Sequence, residues 1–136
     1  MAESMFRGRL LVVDDEPGIR SFLAWRLRAR GLEVQLACDG EEALDQLERQ
    51  PFDLVITDVT MPRLEGLALL ETVKRRYPTT EVILMTGFST VDMAVGAMRL
   101  GAFNFLLKPF RLNALLKTVD QALAQGRLRG QARGTE

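Results

Sequence analysis

Along the chain, short unbroken aliphatic runs alternate with longer stretches whose apolar residues return every three or four positions. Arg9–Val13 is mostly aliphatic and β-branched, and Asp14, Asp15, Glu16 and Pro17 come after it, the proline well placed in the first turn of a helix. Ile19, Phe22, Leu23 and Leu27 then recur at helical spacing, which predicts a helix from Gly18 to Arg30 with Gly31 as its stop. The rhythm repeats. Glu33–Ala37 reads as a second strand, and Asp39 with Glu42 three residues on makes a capping-box-like start for a helix reaching about Arg49. Asp53–Thr57 is predicted as a third strand, and its consecutive Leu54, Val55 and Ile56 suit a sheet covered on both faces.

Leu64, Leu67, Leu70 and Val73 form one stripe of a third helix, ended near Tyr77 because Pro78 keeps the residue before it out of helical geometry. Val82–Met85 is strand four. Ser89 or Thr90 can cap a fourth helix to about Arg99, Gly101 ends it, and Phe103–Leu107 is strand five. Leu112, Leu115, Leu116, Val119 and Leu123 mark a fifth helix. Five strand-then-helix repeats imply an α/β fold, doubly wound, with a parallel sheet between two helical layers. Gly126–Glu136 has three glycines and three arginines without an apolar period and reads as a flexible tail or linker stub, which leaves 1–125 as one domain.

Composition adds mainly exclusions. Lysine plus arginine and aspartate plus glutamate both number 18, so no global basic field draws nucleic acid to the chain. No apolar run spans a bilayer and the N-terminus lacks a secretory pattern, so a cytoplasmic protein is expected. There is no histidine and a single cysteine, Cys38, which removes zinc clusters and His-dependent nucleophiles. Carboxylates must carry any chemistry.

In an open parallel sheet, ligands bind beyond the carboxyl ends of the strands. Asp14 and Asp15 come after strand one, Asp58 after strand three, Thr86 after strand four, and Lys108 with Pro109 after strand five. Taken singly, the acids could be capping residues, Thr86 a turn cap and Lys108 a solvated surface cation. Together they describe one acidic crevice. Three carboxylates repel one another unless a cation offsets them, and Mg2+ suits a few carboxylates plus a phosphate. A carboxylate can also attack phosphorus, with Lys108 neutralising the phosphoryl oxygens and the Thr86 hydroxyl reading one of them.

With these residues in place, 8–125 resembles the receiver domains of bacterial response regulators. The resemblance rests on VVDDEP (Val12–Pro17), DVTMPRLEG (Asp58–Gly66), MTG (Met85–Gly87) and LKPF (Leu107–Phe110), in family order and at family-like intervals. It implies a flavodoxin-like sheet in strand order 2-1-3-4-5. Asp58 is then the phosphoacceptor, and Mg2+ is held by Asp14, Asp15, Asp58 and the Thr60 backbone carbonyl. Thr86, Lys108 and Phe105 become the phosphate-binding and switch residues, and the Lys108-Pro109 bond is expected to be cis. The non-enzymatic product is a phosphorylated signalling switch.

A histidine kinase is the implied donor. The output lies with a downstream target on the face of helix four, strand five and helix five, and phosphorylation can also shift a monomer–dimer equilibrium there. No direct nucleic-acid or membrane contact is expected. The segment from Thr86 to Phe110 looks more like receivers attached to ATPase-type transcription activators than like chemotaxis receivers. Thr60 and Phe88 sit at two positions that affect phosphoryl lifetime in the family, and a bulky Phe88 is expected to shield the acyl phosphate from water.

Met61, Pro62 and Gly66 read as structural loop residues, the glycine through its access to positive φ. Trp25 and the methionines need only packing explanations, Cys38 is expected to be inert, and Phe105 could equally be permanent core. Three other functions compete. An aspartate-nucleophile hydrolase would want a second aspartate where Thr60 stands. A flavin domain would want a phosphate loop where Asp14, Asp15 and Glu16 stand. A phosphorylation-independent docking receiver shares the fold but would not need the full set of acids.

Overall fold

A computed structural model describes residues 7–60, 65–87 and 90–134, with side chains described through residue 126. The elements run β1 (Arg9–Val13), α1 (Pro17–Arg28), β2 (Glu33–Ala37), α2 (Gly40–Arg49), β3 (Leu54–Asp58), α3 (Gly66–Arg76), β4 (Glu81–Thr86), α4 (Val91–Arg99), β5 (Asn104–Leu107) and α5 (Leu112–Gly134). All strand pairs are parallel, in the order β2-β1-β3-β4-β5. This is the expected doubly wound sheet.

Alternation along the central strands builds two cores. Leu10 and Val12 of β1, Leu54 and Ile56 of β3, and Ile83 and Met85 of β4 face α1 and α5, where they meet Leu23, Leu27, Leu115 and Val119. Leu11 and Val13, Val55, and Val82 and Leu84 face the other way, toward Leu47 of α2, Leu69, Leu70 and Val73 of α3 and Ala97 of α4. Both faces of each central strand are buried, which explains why the strands read as unbroken apolar runs.

Local signals set the boundaries. Asp39 caps α2, its Oδ1 accepting the Glu42 amide at 2.9 Å, while the Glu42 carboxylate accepts the Cys38 thiol at 3.2 Å. That hydrogen bond, with burial and the charges of Glu42 and Asp39, pushes the Cys38 thiol up and away from a reactive thiolate. Thr90 caps α4 by accepting the Met93 amide at 3.1 Å. Gly31 and Gly101 end their helices at φ 88° and 101°, the left-handed region.

Several sequence expectations need correction. β3 and β4 each extend one residue further, so Asp58 and Thr86 are the last strand residues, not the first loop residues. The α1 stripe is Ile19, Leu23 and Leu27, spaced four apart; Phe22 lies about 100° off it and is 48% exposed. Trp25 is 63% exposed with its ring 6.4 Å from that of Phe22, so core packing does not account for it. Helix α5 does not stop where the apolar period fades near residue 125 but continues to Gly134, so the expected flexible tail is helical through that residue. Gly66 is helical rather than at positive φ, and its role is steric, set by its close approach to the end of β3. Met61, Pro62, Leu64, Ser89 and Phe88 lie outside the described residues.

Candidate functional site

The site forms because parallel strands deliver all their carboxyl ends to one edge. Register brings Val13 beside Thr57, Asp58 beside Met85 and Thr86 beside Leu107, so the residues at and just past these ends share a single rim. There the carboxylates of Asp14, Asp15 and Asp58 each offer an oxygen within 4.8 Å of the others. Asp14 is fully buried, Asp58 is nearly so, and Asp15 is exposed.

Lys108 reaches into the same crevice from the end of β5. Its Nζ donates to Asp58 Oδ2 at 2.8 Å and to Asp14 Oδ2 at 3.3 Å. The strand end places this lysine, since its own amide donates to the Thr86 carbonyl at 2.7 Å and the Lys108-Pro109 bond is cis, as expected. The Thr60 amide donates to Asp58 Oδ1 at 3.1 Å, so both oxygens of that carboxylate are held. The Glu16 amide does the same for Asp14 Oδ1 at 3.0 Å.

One ammonium thus serves two carboxylates, with a third close by. Burial raises the Asp14 pKa, and the neighbouring Asp58 charge adds to this, against the opposing Glu16 hydrogen bond and Lys108 charge. Burial by itself would lower the Lys108 pKa, but its hydrogen bond to Asp58 and the two negative charges outweigh that and raise it. The lysine is therefore firmly cationic, while the fully buried Asp14 carries its charge at a cost. The all-oxygen donor set, with more negative charge than Lys108 balances, fits a hard divalent cation.

This excess of negative charge has a measurable consequence for stability. Asp14→Asn removes the fully buried charge and leaves Lys108 paired with Asp58 beside the exposed Asp15, so in metal-free buffer the variant should be more stable than the parent, by about 1 kcal/mol. Thermal melts with chelator check this; a lower Tm for the variant would contradict the charge count.

The remaining candidates are less directly placed. Thr86 is buried at the rim, one residue past Met85, which pairs in register with Asp58. Phe105 is half-buried, pairs in register with Leu84 and packs on the core face that holds α4. Gly66 abuts the site from beneath: a Cβ there would fall 2.2 Å from the Asp58 carbonyl oxygen and 2.7 Å from Val59 Cα. Sequence reasoning missed this close approach and also missed Arg20, whose Nη1 donates to the Asp14 carbonyl at 2.6 Å. A signal for Arg20 existed, since a cation in the first turn of a helix opposes the helix dipole and calls for another partner.

Comparisons with known proteins agree with this geometry. A family model described as response regulator receiver domain matches residues 10–120. The transcriptional regulatory protein ZraR of Salmonella typhimurium (strain LT2) is 40% identical over 128 residues, covering 93% of this chain and 29% of the regulator, so the chain spans under a third of that protein's length. A response regulator receiver domain protein from Clostridium thermocellum superposes with a TM-score of 0.83 at 34% identity, covering 88% of this chain and 97% of that one. The beryllofluoride-activated NtrC4 receiver domain, solved as a dimer, superposes at 0.82 with 36% identity, covering 87% and 98% of the two chains. With the acids and lysine gathered at one sheet edge and the family model matching residues 10–120, the chain belongs to the receiver domains of response regulators.

Proposed function

We propose that this receiver takes a phosphoryl group from a histidine kinase onto Asp58, in a Mg2+-dependent reaction, and changes conformation to control an output. The observation that carries the reading is Lys108 Nζ at 2.8 Å from Asp58 Oδ2 within a group of three carboxylates. An Asp58 oxygen attacks phosphorus, a P–O bond forms, the P–N bond to the kinase imidazole breaks, and that nitrogen leaves with the electron pair. Lys108 then moves its hydrogen bond from the carboxylate to a phosphoryl oxygen and offsets its charge. Asp14, Asp15, Asp58 and the Thr60 carbonyl would hold Mg2+, which supplies further charge neutralisation when bound.

Thr86 and Phe105 serve as the switch. The Thr86 hydroxyl hydrogen-bonds a phosphoryl oxygen, and the half-buried Phe105 repacks on the α4 side as the end of β4 moves. The surface that would read this carries Val91, Val95, Met98 and Leu107, all exposed, on α4 and β5. An apolar patch of that kind suits a downstream partner or a second copy, and the similar beryllofluoride-activated NtrC4 receiver domain is itself a dimer. Residues 1–125 form the receiver and 126–136 its connection to an output region, the α5 extension giving that connection helical character. A cytoplasmic location fits the kinase partner, and among the described residues no helix is long and apolar enough to cross a membrane.

Incubation with Mg2+ and acetyl phosphate, with intact mass measured afterwards, tests the reading. The expected result is a gain of one phosphoryl group that disappears with a chelator and maps, after borohydride trapping, to Asp58. No adduct under any donor condition would favour a docking receiver that works without phosphorylation.

A further inference from the structure

Arg20 lies in the first turn of α1, where the positive end of the helix dipole disfavours a cation. Its guanidinium is half-buried and donates from Nη1 to the Asp14 carbonyl at 2.6 Å, a short, charge-assisted bond. Among the described residues no carboxylate pairs with it. The β1 ladders end at Val13, paired with Ala37 on one side and Thr57 on the other. One further amide, that of Asp14, still reaches the Ala37 carbonyl at 3.2 Å, but the Asp14 carbonyl lies past the last strand register, and Arg20 supplies its donor.

That bond completes a set of four on Asp14: its amide on Ala37, its carbonyl on Arg20, Oδ1 on the Glu16 amide and Oδ2 on Lys108. Asp15 differs. It is exposed and has no hydrogen-bond or ion-pair partner among the described residues, so the backbone alone aims its carboxylate at the crevice. The peptide that sets this aim begins at the Asp14 carbonyl.

We propose that Arg20 is a positioning residue for the metal site, holding the turn from Asp14 to Glu16 so that two of the three carboxylates converge with Asp58; the inference rests on the Mg2+ reading above. Arg20 acts through the peptide and touches neither the metal nor the phosphoryl group. Partners of this kind, one bond removed from the ligands, typically alter metal affinity by about 10- to 100-fold when removed.

Arg28 provides the control. It lies at the other end of α1 and makes the same kind of bond, Nη2 to the Val34 carbonyl at 2.7 Å, away from the acids. Mg2+ titrations by calorimetry should show Arg20→Leu raising the Kd about tenfold, with Arg28→Leu leaving it unchanged although both lower Tm. Arg20→Lys, which keeps a cationic donor, should recover most of the affinity. A parental Kd in Arg20→Leu, or an equal rise in Arg28→Leu, would overturn the inference by reducing Arg20 to a general helix contact. Should Arg20→Leu fail to fold by circular dichroism, Arg20→Gln is read in the same way. A parent chain that binds no Mg2+ would remove the metal reading itself and this inference with it, whereas a parent that binds and an Arg20→Leu that binds equally well removes only the inference.

Discussion

Asp58→Asn is expected to take up no phosphoryl group from acetyl phosphate with Mg2+, a loss of at least ~10³-fold in adduct formation. Asparagine has nearly the same shape and keeps one oxygen, which can accept from the Thr60 amide while Lys108 Nζ keeps its bond to Asp14, so the fold should survive intact. What disappears is the anionic oxygen that attacks phosphorus. No neighbour can replace it well: Asp14 is buried with its own Oδ1 committed to the Glu16 amide, and Asp15 is exposed without Lys108 on it. Intact mass after a fixed incubation reads the result, and a parental yield in the variant would place the acceptor elsewhere. Far-UV circular dichroism and Tm, expected to match the parent or exceed it, separate loss of the nucleophile from loss of the fold.

Gly66→Ala should be the most disruptive single methyl in the described part of the chain. The added Cβ would lie 2.2 Å from the Asp58 carbonyl oxygen, 2.7 Å from Val59 Cα and 3.0 Å from the Asp58 carbonyl carbon. All three are backbone atoms at the end of a central strand, so no side chain can swing away to make room. The Gly66 amide also donates to the Val59 carbonyl at 2.9 Å, which holds the start of α3 against that strand end.

Overpacking against backbone costs about 3 kcal/mol, on the order of 10 °C in Tm for a domain of this size. Because the displaced atoms belong to Asp58 itself, phosphoryl uptake should fall along with stability. Gly96→Ala is the matched contrast: it lies within α4 with nothing within 4 Å of its added Cβ, and should gain about 0.5–1 kcal/mol from helix propensity. Equal Tm values for the two alanine variants would show that the approach at Gly66 is not tight.

How much of the fold and site was legible in the chain depended on whether the signal was local. The five repeats, the caps at Asp39 and Thr90 and the stops at Gly31 and Gly101 were readable because each rests on neighbours within a few residues. The strand-end acids and Lys108 were readable because a parallel sheet sends every strand end to one edge. Phe22 and Trp25 were misassigned because an apolar residue reveals its type but not which side of a helix it occupies. The continuation of α5 to Gly134 was missed because weak periodicity does not forbid helical backbone.

By itself the sequence determined the class of fold, the elements and the residue types that could do chemistry, since these depend on periodicity, capping and charge along the chain. Only the tertiary structure decided which charges meet. Lys108 lies 50 residues from Asp58 and 94 from Asp14, yet shares its ammonium between them. Gly66 is needed because a helix start and a strand end press together at a distance that leaves no room for a methyl group. Arg20 finds the Asp14 carbonyl, which lies past the end of the strand ladder. Each of these is a contact between segments, set by register and close packing, and such distances are properties of the folded chain that no window of its sequence contains.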